Sequence, residues 1–184
     1  MANKGYSAAT IAAATVLLLS CLHIAEAEAN VKLGREKISH LHFYFHDLLV
    51  GKNVTAVQVA SSPTTDSYLT QFGLMRVMDD WLTAGPEATS KMVGRAQGIY
   101  VSSCQQKVQL LMASTFVFES GKYNGSTLAM VGKNAVFDEV REMPIVGGSG
   151  LFRLARGFAL AHTHSFDLKT GNAVVEYNVT VLHY

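Results

Sequence analysis

Cysteine is nearly absent from this chain: two residues among 184, Cys21 and Cys104. Cys21 falls in an N-terminal segment that reads as a removable leader, so Cys104 stands alone and an intrachain disulfide is excluded from the mature protein. Stability must then come from the core or from oligomerisation. Charge of one sign is lacking too. Without residues 1–29, which take Lys4, Glu26 and Glu28 with them, 14 basic and 12 acidic residues remain of the original 15 and 14, a net charge of +2. That balance, with no basic tract interleaved with aromatics, speaks against a nucleic-acid binder. Beyond the leader no apolar run is long enough to cross a bilayer as a helix. Hydrolase signatures are missing: there is no Gly-x-Ser-x-Gly elbow, and Cys104 has no local mark of a nucleophile. Gly147-Gly148-Ser149-Gly150 lacks the Lys-Ser/Thr and the helix of a phosphate loop, and reads as a glycine-rich turn.

What is present begins with the leader. Lys4 precedes an apolar run from Ala8 to Leu19, then small residues at Ala25, Ala27 and Ala29 invite cleavage after Ala27 or Ala29. Residues 1–29 are therefore expected to be a signal peptide, with a signal anchor as the alternative, and residues 30–184 a single domain of about 155 residues. Three sequons, at Asn53, Asn124 and Asn178, fit a secreted glycoprotein.

Most of the remaining chain alternates at period 2 and little of it at 3.6. Residues 39–47, 54–60, 72–80, 94–103, 107–118, 126–131, 152–166 and 173–184 read as strands, separated by turn chemistry at 121–125, 147–150 and 167–171. The last strand sets Val175, Tyr177 and Val179 on one face and Glu176, Asn178 and Thr180 on the other; the sequon turns the second face to solvent and the first inward. Seven or eight antiparallel strands without helices favour closure, because closure removes exposed edges. The expected fold is all-β, an eight-stranded antiparallel β-barrel with a central cavity; a sandwich is the runner-up.

Candidate chemistry centres on Asp47. In residues 39–47, Leu41, Phe43, Phe45 and Asp47 share a face, so a cavity behind that face would hold one carboxyl among apolar walls. Desolvation disfavours its charged form, a common route to a general acid near neutral pH. A plain turn before Gly51 is the alternative. His40, His42 and His46 share the opposite face and His162 and His164 pair on another strand. A metal site is conceivable there, but these rings point outward if the apolar row points inward, so no metal is expected. Arg141 and Arg156 could anchor a phenolate or ketone oxygen or pair with Asp47 or Asp80; structural ion pairs are the alternative. Tyr100 shares a face with Ala96 and Gly98, small residues that leave room for a ligand. Asp79 and Asp80 are read at a strand end before Trp81.

Four blocks in order resemble the plant dirigent family: His46-Asp47 after an aromatic strand; Phe72-Gly73 with Val77-Met78-Asp79-Asp80; the run from Val93 to Tyr100; and the run from Arg141 to Gly157. The resemblance covers about Lys37 to Tyr184. It implies an eight-stranded barrel assembled as a homotrimer, secreted to the apoplast, that steers the stereochemistry of phenylpropanoid products without a cofactor. In lignan formation an external oxidase, a laccase or peroxidase, makes phenoxy radicals from coniferyl alcohol and the barrel directs their coupling, with no oxidase activity of its own. By matching position the pocket acid is Asp47, the pocket arginine Arg141, and Tyr100 lines the cavity, with Phe45, Asp80, Asn134 and Val175 as further substrate contacts.

Departures from the lignan-forming pattern narrow this expectation. A second pocket aspartate is Asn134 here, a second tyrosine is Ser102, and paired cysteines are missing. These features resemble the broader subgroup that includes the pterocarpan synthases, some of which dehydrate an isoflavanol through a quinone methide. Non-catalytic carriage of small aromatic compounds remains a reading of a different class.

Overall fold

The computed structural model describes residues 33–184, so the expected signal peptide lies outside the described residues. Alternating apolar and polar side chains build nine strands: β1 (Lys37–Asp47), β2 (Ala56–Ala60), β3 (Met75–Thr83), β4 (Met92–Ser102), β5 (Leu110–Phe118), β6 (Thr127–Asn134), β7 (Arg141–Ser149), β8 (Arg156–Phe166) and β9 (Ala173–His183). All neighbours are antiparallel, in the order β1-β9-β8-β7-β6-β5-β4-β3-β2, and β1 also pairs with β3. That last contact, Tyr44 to Thr83 through His46 to Trp81, closes an eight-stranded barrel. β2 is an extra strand that takes over the edge of β3 where β1 leaves it, from Ala56–Met78 onward.

Two regions differ from the sequence reading. Arg141–Ser149 forms a strand where only a turn was expected at 147–150, because Pro144 and the paired glycines conceal it. The β6–β7 ladder shifts register between Ala129 and Met130 and ends at Met130–Ile145, so the proline stands beside a bulged ladder that does not need its missing N–H. Residues 152–166 are not one strand: Gly150–Phe152 is a 3-10 turn, Leu154 takes a left-handed φ of 59°, and β8 begins at Arg156.

The inward rows fill one end of the barrel. Phe43, Phe116 and Tyr177 meet with ring centroids 5.0 to 5.8 Å apart, and Phe118, Tyr123 and Phe152 extend the cluster. Along β8 the small Ala159 and Ala161 are buried and face in, while Phe158 faces out. Gly98 does not leave room for a ligand. A Cβ there would run into the Ala113 carbonyl, so the glycine lets β4 approach β5 instead.

Candidate active site

Towards the other end the inward side chains stop filling the barrel, and a cavity of about 570 Å³ opens there. It is walled by the C-terminal part of β1, the N-terminal part of β3, and the matching ends of β4 to β9, which antiparallel order brings to one mouth. Phe45, Asp47, Tyr100, Asn134, Arg141 and Val175 all line it.

The period-2 row of β1 ends as the sequence suggests: Leu41, Phe43 and Phe45 are buried, and Asp47 follows them into the cavity wall. The Tyr100 hydroxyl donates to Asp47 Oδ2 at 3.0 Å and lies 3.3 Å from Oδ1. Burial pushes the Asp47 carboxyl up to about 6; the Tyr100 hydrogen bond and the Arg76 charge offset this only in part. The Tyr100 phenol is itself pushed far above its ordinary value, first by burial and then by the charge of Asp47, so it remains a donor. Arg76 lies over the Tyr100 ring, 5.8 Å from its centroid.

Asp80 is placed differently from expectation. It lies within β3, not at a strand end, on the inward row with Met78 and Leu82, fully buried and outside the cavity lining. The register Phe45–Leu82 and His46–Trp81 carries Asp47 towards Asp80 at the point where the β1 ladder stops. Neither Asp80 oxygen has a hydrogen bond of good geometry; the Thr55 hydroxyl, committed to the His46 carbonyl, eases its charge only in part. Burial first, and then the Asp47 charge, push it up to about 8. Two acids thus neighbour each other on the inward face, Asp47 on the cavity and Asp80 buried beside it outside the lining.

Arg141 is held on a different wall. It is buried, its Nε donates to Asn134 Oδ1 at 3.2 Å, and its Nη1 reaches the Asp138 carbonyl at 3.4 Å. Burial pulls the guanidinium down from its ordinary value, against the neighbouring Tyr177 and Asp138. Tyr177 lines the same space, with its phenol pushed up by burial. The arrangement offers a carboxylic acid that keeps its proton up to about pH 6, a phenol that orients it, and cations that stabilise negative charge on a ligand oxygen.

Other expected groups lie elsewhere. Arg156 is on the outside, paired with Glu36 at 2.6 Å. His42 is half-exposed on the outer face and bonds Glu176 at 2.7 Å; His46 is on that face too but covered, bonding Thr83 Oγ1 at 2.7 Å. Asn53, Asn124 and Asn178 are exposed. Sequence reasoning missed Arg76, Ser102, His162, Phe137 and Phe166 as cavity residues and named Tyr177 only as inward-facing. Arg76 was legible: it shares its parity with Met78, Asp80 and Leu82. Phe137 and Phe166, in edge contact at 5.9 Å on different segments of the mouth, carry no such signal.

Residues 38–182 match the dirigent-like protein family. The chain is 57% identical over 148 residues to dirigent protein 21 of Arabidopsis thaliana, covering 80% of this chain and 78% of that protein. It is 49% identical over 150 residues to pterocarpan synthase 1 of Glycyrrhiza echinata, covering 81% and 80% respectively. The solved structure of a pterocarpan synthase dirigent protein matches with a TM-score of 0.76 and 47% identity, covering 84% of this chain and 93% of that one. With a family match spanning almost the entire barrel, and relatives alike in both sequence and fold, the chain belongs to the dirigent family.

Proposed function

We propose that this dirigent protein binds a small phenolic compound in the barrel cavity and directs the stereochemistry of its reaction through a quinone methide, with Asp47 as the general acid. The observation that carries this reading is the Asp47 carboxyl: desolvated in the cavity wall, oriented by Tyr100 at 3.0 Å, and pushed up to about 6. Arg141 stabilises charge on a ligand oxygen, and Phe45, Tyr100 and Val175 hold the rings so that one face of the quinone methide is open to attack. In radical coupling an external laccase or peroxidase supplies the one-electron oxidation of each monomer, and Asp47 protonates a quinone methide oxygen as a hydroxyl adds to the methide carbon, the proton shed by that hydroxyl restoring Asp47. The protein is read as secreted to the apoplast as a glycosylated homotrimer.

A second reading, isoflavanol dehydration, is favoured by the 49% identity to pterocarpan synthase 1 and by Asn134 beside Arg141, where a second acid would serve lignan formation. Asp47 gives its proton to the departing hydroxyl, which leaves as water when the C–O bond breaks. The para phenol sheds its proton, which restores Asp47, and the quinone methide results. Attack by the second phenol forms the new C–O bond, and that phenol's proton passes to the quinone methide oxygen.

The test has two arms: coniferyl alcohol with a one-electron oxidant, and an isoflavanol alone, each with and without the protein, followed by chiral chromatography. An enantiomeric excess in the first arm supports coupling, and accelerated single-enantiomer closure in the second supports dehydration. Racemic, unaccelerated products in both arms sink both readings and leave carriage of aromatic compounds.

A further inference from the structure

The cavity contains two guanidiniums with unequal surroundings. Arg141 is buried and committed to Asn134 and to the Asp138 carbonyl, with the Asp138 charge close by. Arg76 lines the same cavity, yet among the described residues its guanidinium has no hydrogen-bond acceptor and no carboxylate within ion-pair distance. It lies over the Tyr100 ring and close enough to Asp47 for its charge to be felt there, contacts that leave donors of the guanidinium fork without an acceptor. In the closed strand order β3 and β7 are four strands apart in either direction, so Arg76 and Arg141 stand on opposite walls.

The nearby acids do not serve Arg76. Asp47 takes the Tyr100 hydroxyl and forms no ion pair, Asp80 is fully buried and outside the lining, and Asp138 and Glu139 belong to the β6–β7 connection beside Arg141. We propose that Arg76 is a specificity-determining residue of this cavity and that it selects phenolic ligands bearing a carboxylate, which its fork binds while the phenol end of the ligand faces the Arg141 wall. The match is chemical: a planar guanidinium with free donors, half-sheltered from water, binds a carboxylate through two parallel hydrogen bonds. The inference rests on the reading of the cavity as a phenolic site and adds the class of phenolic.

A consequence couples binding to chemistry. The Arg76 charge is one of the influences that favour ionised Asp47. A ligand carboxylate on Arg76 neutralises that influence, so the bound state keeps the Asp47 proton to higher pH.

The experiment compares two ligands that share one ring and differ at the side-chain end: 4-hydroxy-3-methoxycinnamate and the corresponding alcohol, coniferyl alcohol. Both are titrated into the full protein by calorimetry at pH 7, with no oxidant, so that nothing turns over. The carboxylate is expected to bind about tenfold more tightly, the scale of one charge-assisted hydrogen-bonded pair after desolvation. Arg76→Gln should erase that difference by weakening the carboxylate about tenfold more than the alcohol, and Arg76→Lys should keep part of it. Should Arg76→Gln not fold, the salt response of the unaltered protein decides: added NaCl must weaken the carboxylate and spare the alcohol. Equal affinities, no measurable carboxylate binding, or equal weakening of both ligands by Arg76→Gln each overturn the inference. Because the assay is free of turnover, racemic products with the carboxylate preference intact would count against the proposed function alone, and stereocontrol without the preference against Arg76 alone.

Discussion

The two ends of the barrel are made from the same eight strands and the same period of 2, yet they enclose different things. At the closed end Phe43, Phe116, Phe118, Phe152 and Tyr177 meet ring against ring, and Phe116 has no exposed surface at all. At the open end the inward positions continue as Asp47, Arg76, Tyr100, Asn134 and Arg141 around a cavity of about 570 Å³. Tyr177 and Phe45, 5.8 Å apart between ring centroids, belong to both and with Met112 form the floor between them. One end supplies the packing that stabilises the fold, which allows the other to hold desolvated charges and empty space that a small domain otherwise avoids. The difference can be broken from either side.

The largest effect is expected at the open end and in activity. Asp47→Asn keeps the size of the side chain and an acceptor for Tyr100 but removes the proton, and should lower the rate of the responsive reaction by about 10²- to 10⁴-fold, the range of a general acid. Its thermal midpoint should fall little or rise, since an uncharged amide replaces a disfavoured carboxylate. A variant that retains rate and enantiomeric excess would remove Asp47 from the mechanism.

Next comes a matched pair of deletions, one at each end. Phe116→Ala opens a cavity in the closed end and should cost about 3–5 kcal/mol in urea unfolding. Phe137→Ala removes the same atoms from a ring that is 66% exposed at the mouth and touches Phe166, and should cost under about 1 kcal/mol. Equal costs would mean that the mouth is part of the stabilising core and that the division drawn between the ends is false.

Asp80 lies on the boundary between the two ends, and its effect depends on pH. Its folded carboxyl is pushed up to about 8 from an ordinary value near 4, so over that window the folded state binds a proton that the unfolded chain has lost. Stability must therefore fall as pH rises from about 4 through about 8, then level off, and Asp47 adds to the lower part of the fall. Asp80→Asn cannot ionise. It should match the unaltered protein at pH 5 and exceed it by about 1–3 kcal/mol at pH 9, where burial of an unpaired carboxylate is relieved. Denaturant unfolding at both pH values checks this, and parallel stability curves for the two proteins would show that Asp80 does not ionise in that range.

The fate of these residues shows what a single sequence can carry. Asp47 was legible because four apolar and acidic residues at period 2 fix a face without knowledge of any partner strand. Arg141 is singled out by the sequence as a candidate anchor, but its place in the pocket and the choice of Asn134 rest on resemblance to a family, since the turn between β6 and β7 that brings them 3.2 Å apart leaves no periodic trace. Asp80 was assigned to a strand end, and its true position needs the β1–β3 register, which alternation does not encode. β7 was hidden because Pro144, Gly147 and Gly148 are breakers by composition, and only the bulge beside Ala129 and Met130 makes them tolerable in a ladder. Arg76 was overlooked because an arginine between Met75 and Val77 looks like a solvent residue until the inward row is traced from Asp80 back to it.

The smallest effect is expected on the outer face, which gives the baseline against which both ends are judged. His42 Nε2 and Glu176 Oε1 are 2.7 Å apart, but the two side chains are 45% and 29% exposed. Water and salt screen such a pair, and ordering two side chains offsets what attraction remains. Glu176→Gln should change stability at pH 7 by less than about 1 kcal/mol and leave both ligand binding and product enantiomeric excess unaltered, because Glu176 and the cavity residue Val175 face opposite sides of β9 and the 3.9 Å approach of Glu176 to His162 at the mouth is long and exposed. A change in enantiomeric excess would show that the outer face communicates with the cavity through β9, and the separation of the open end from its surroundings would have to be redrawn.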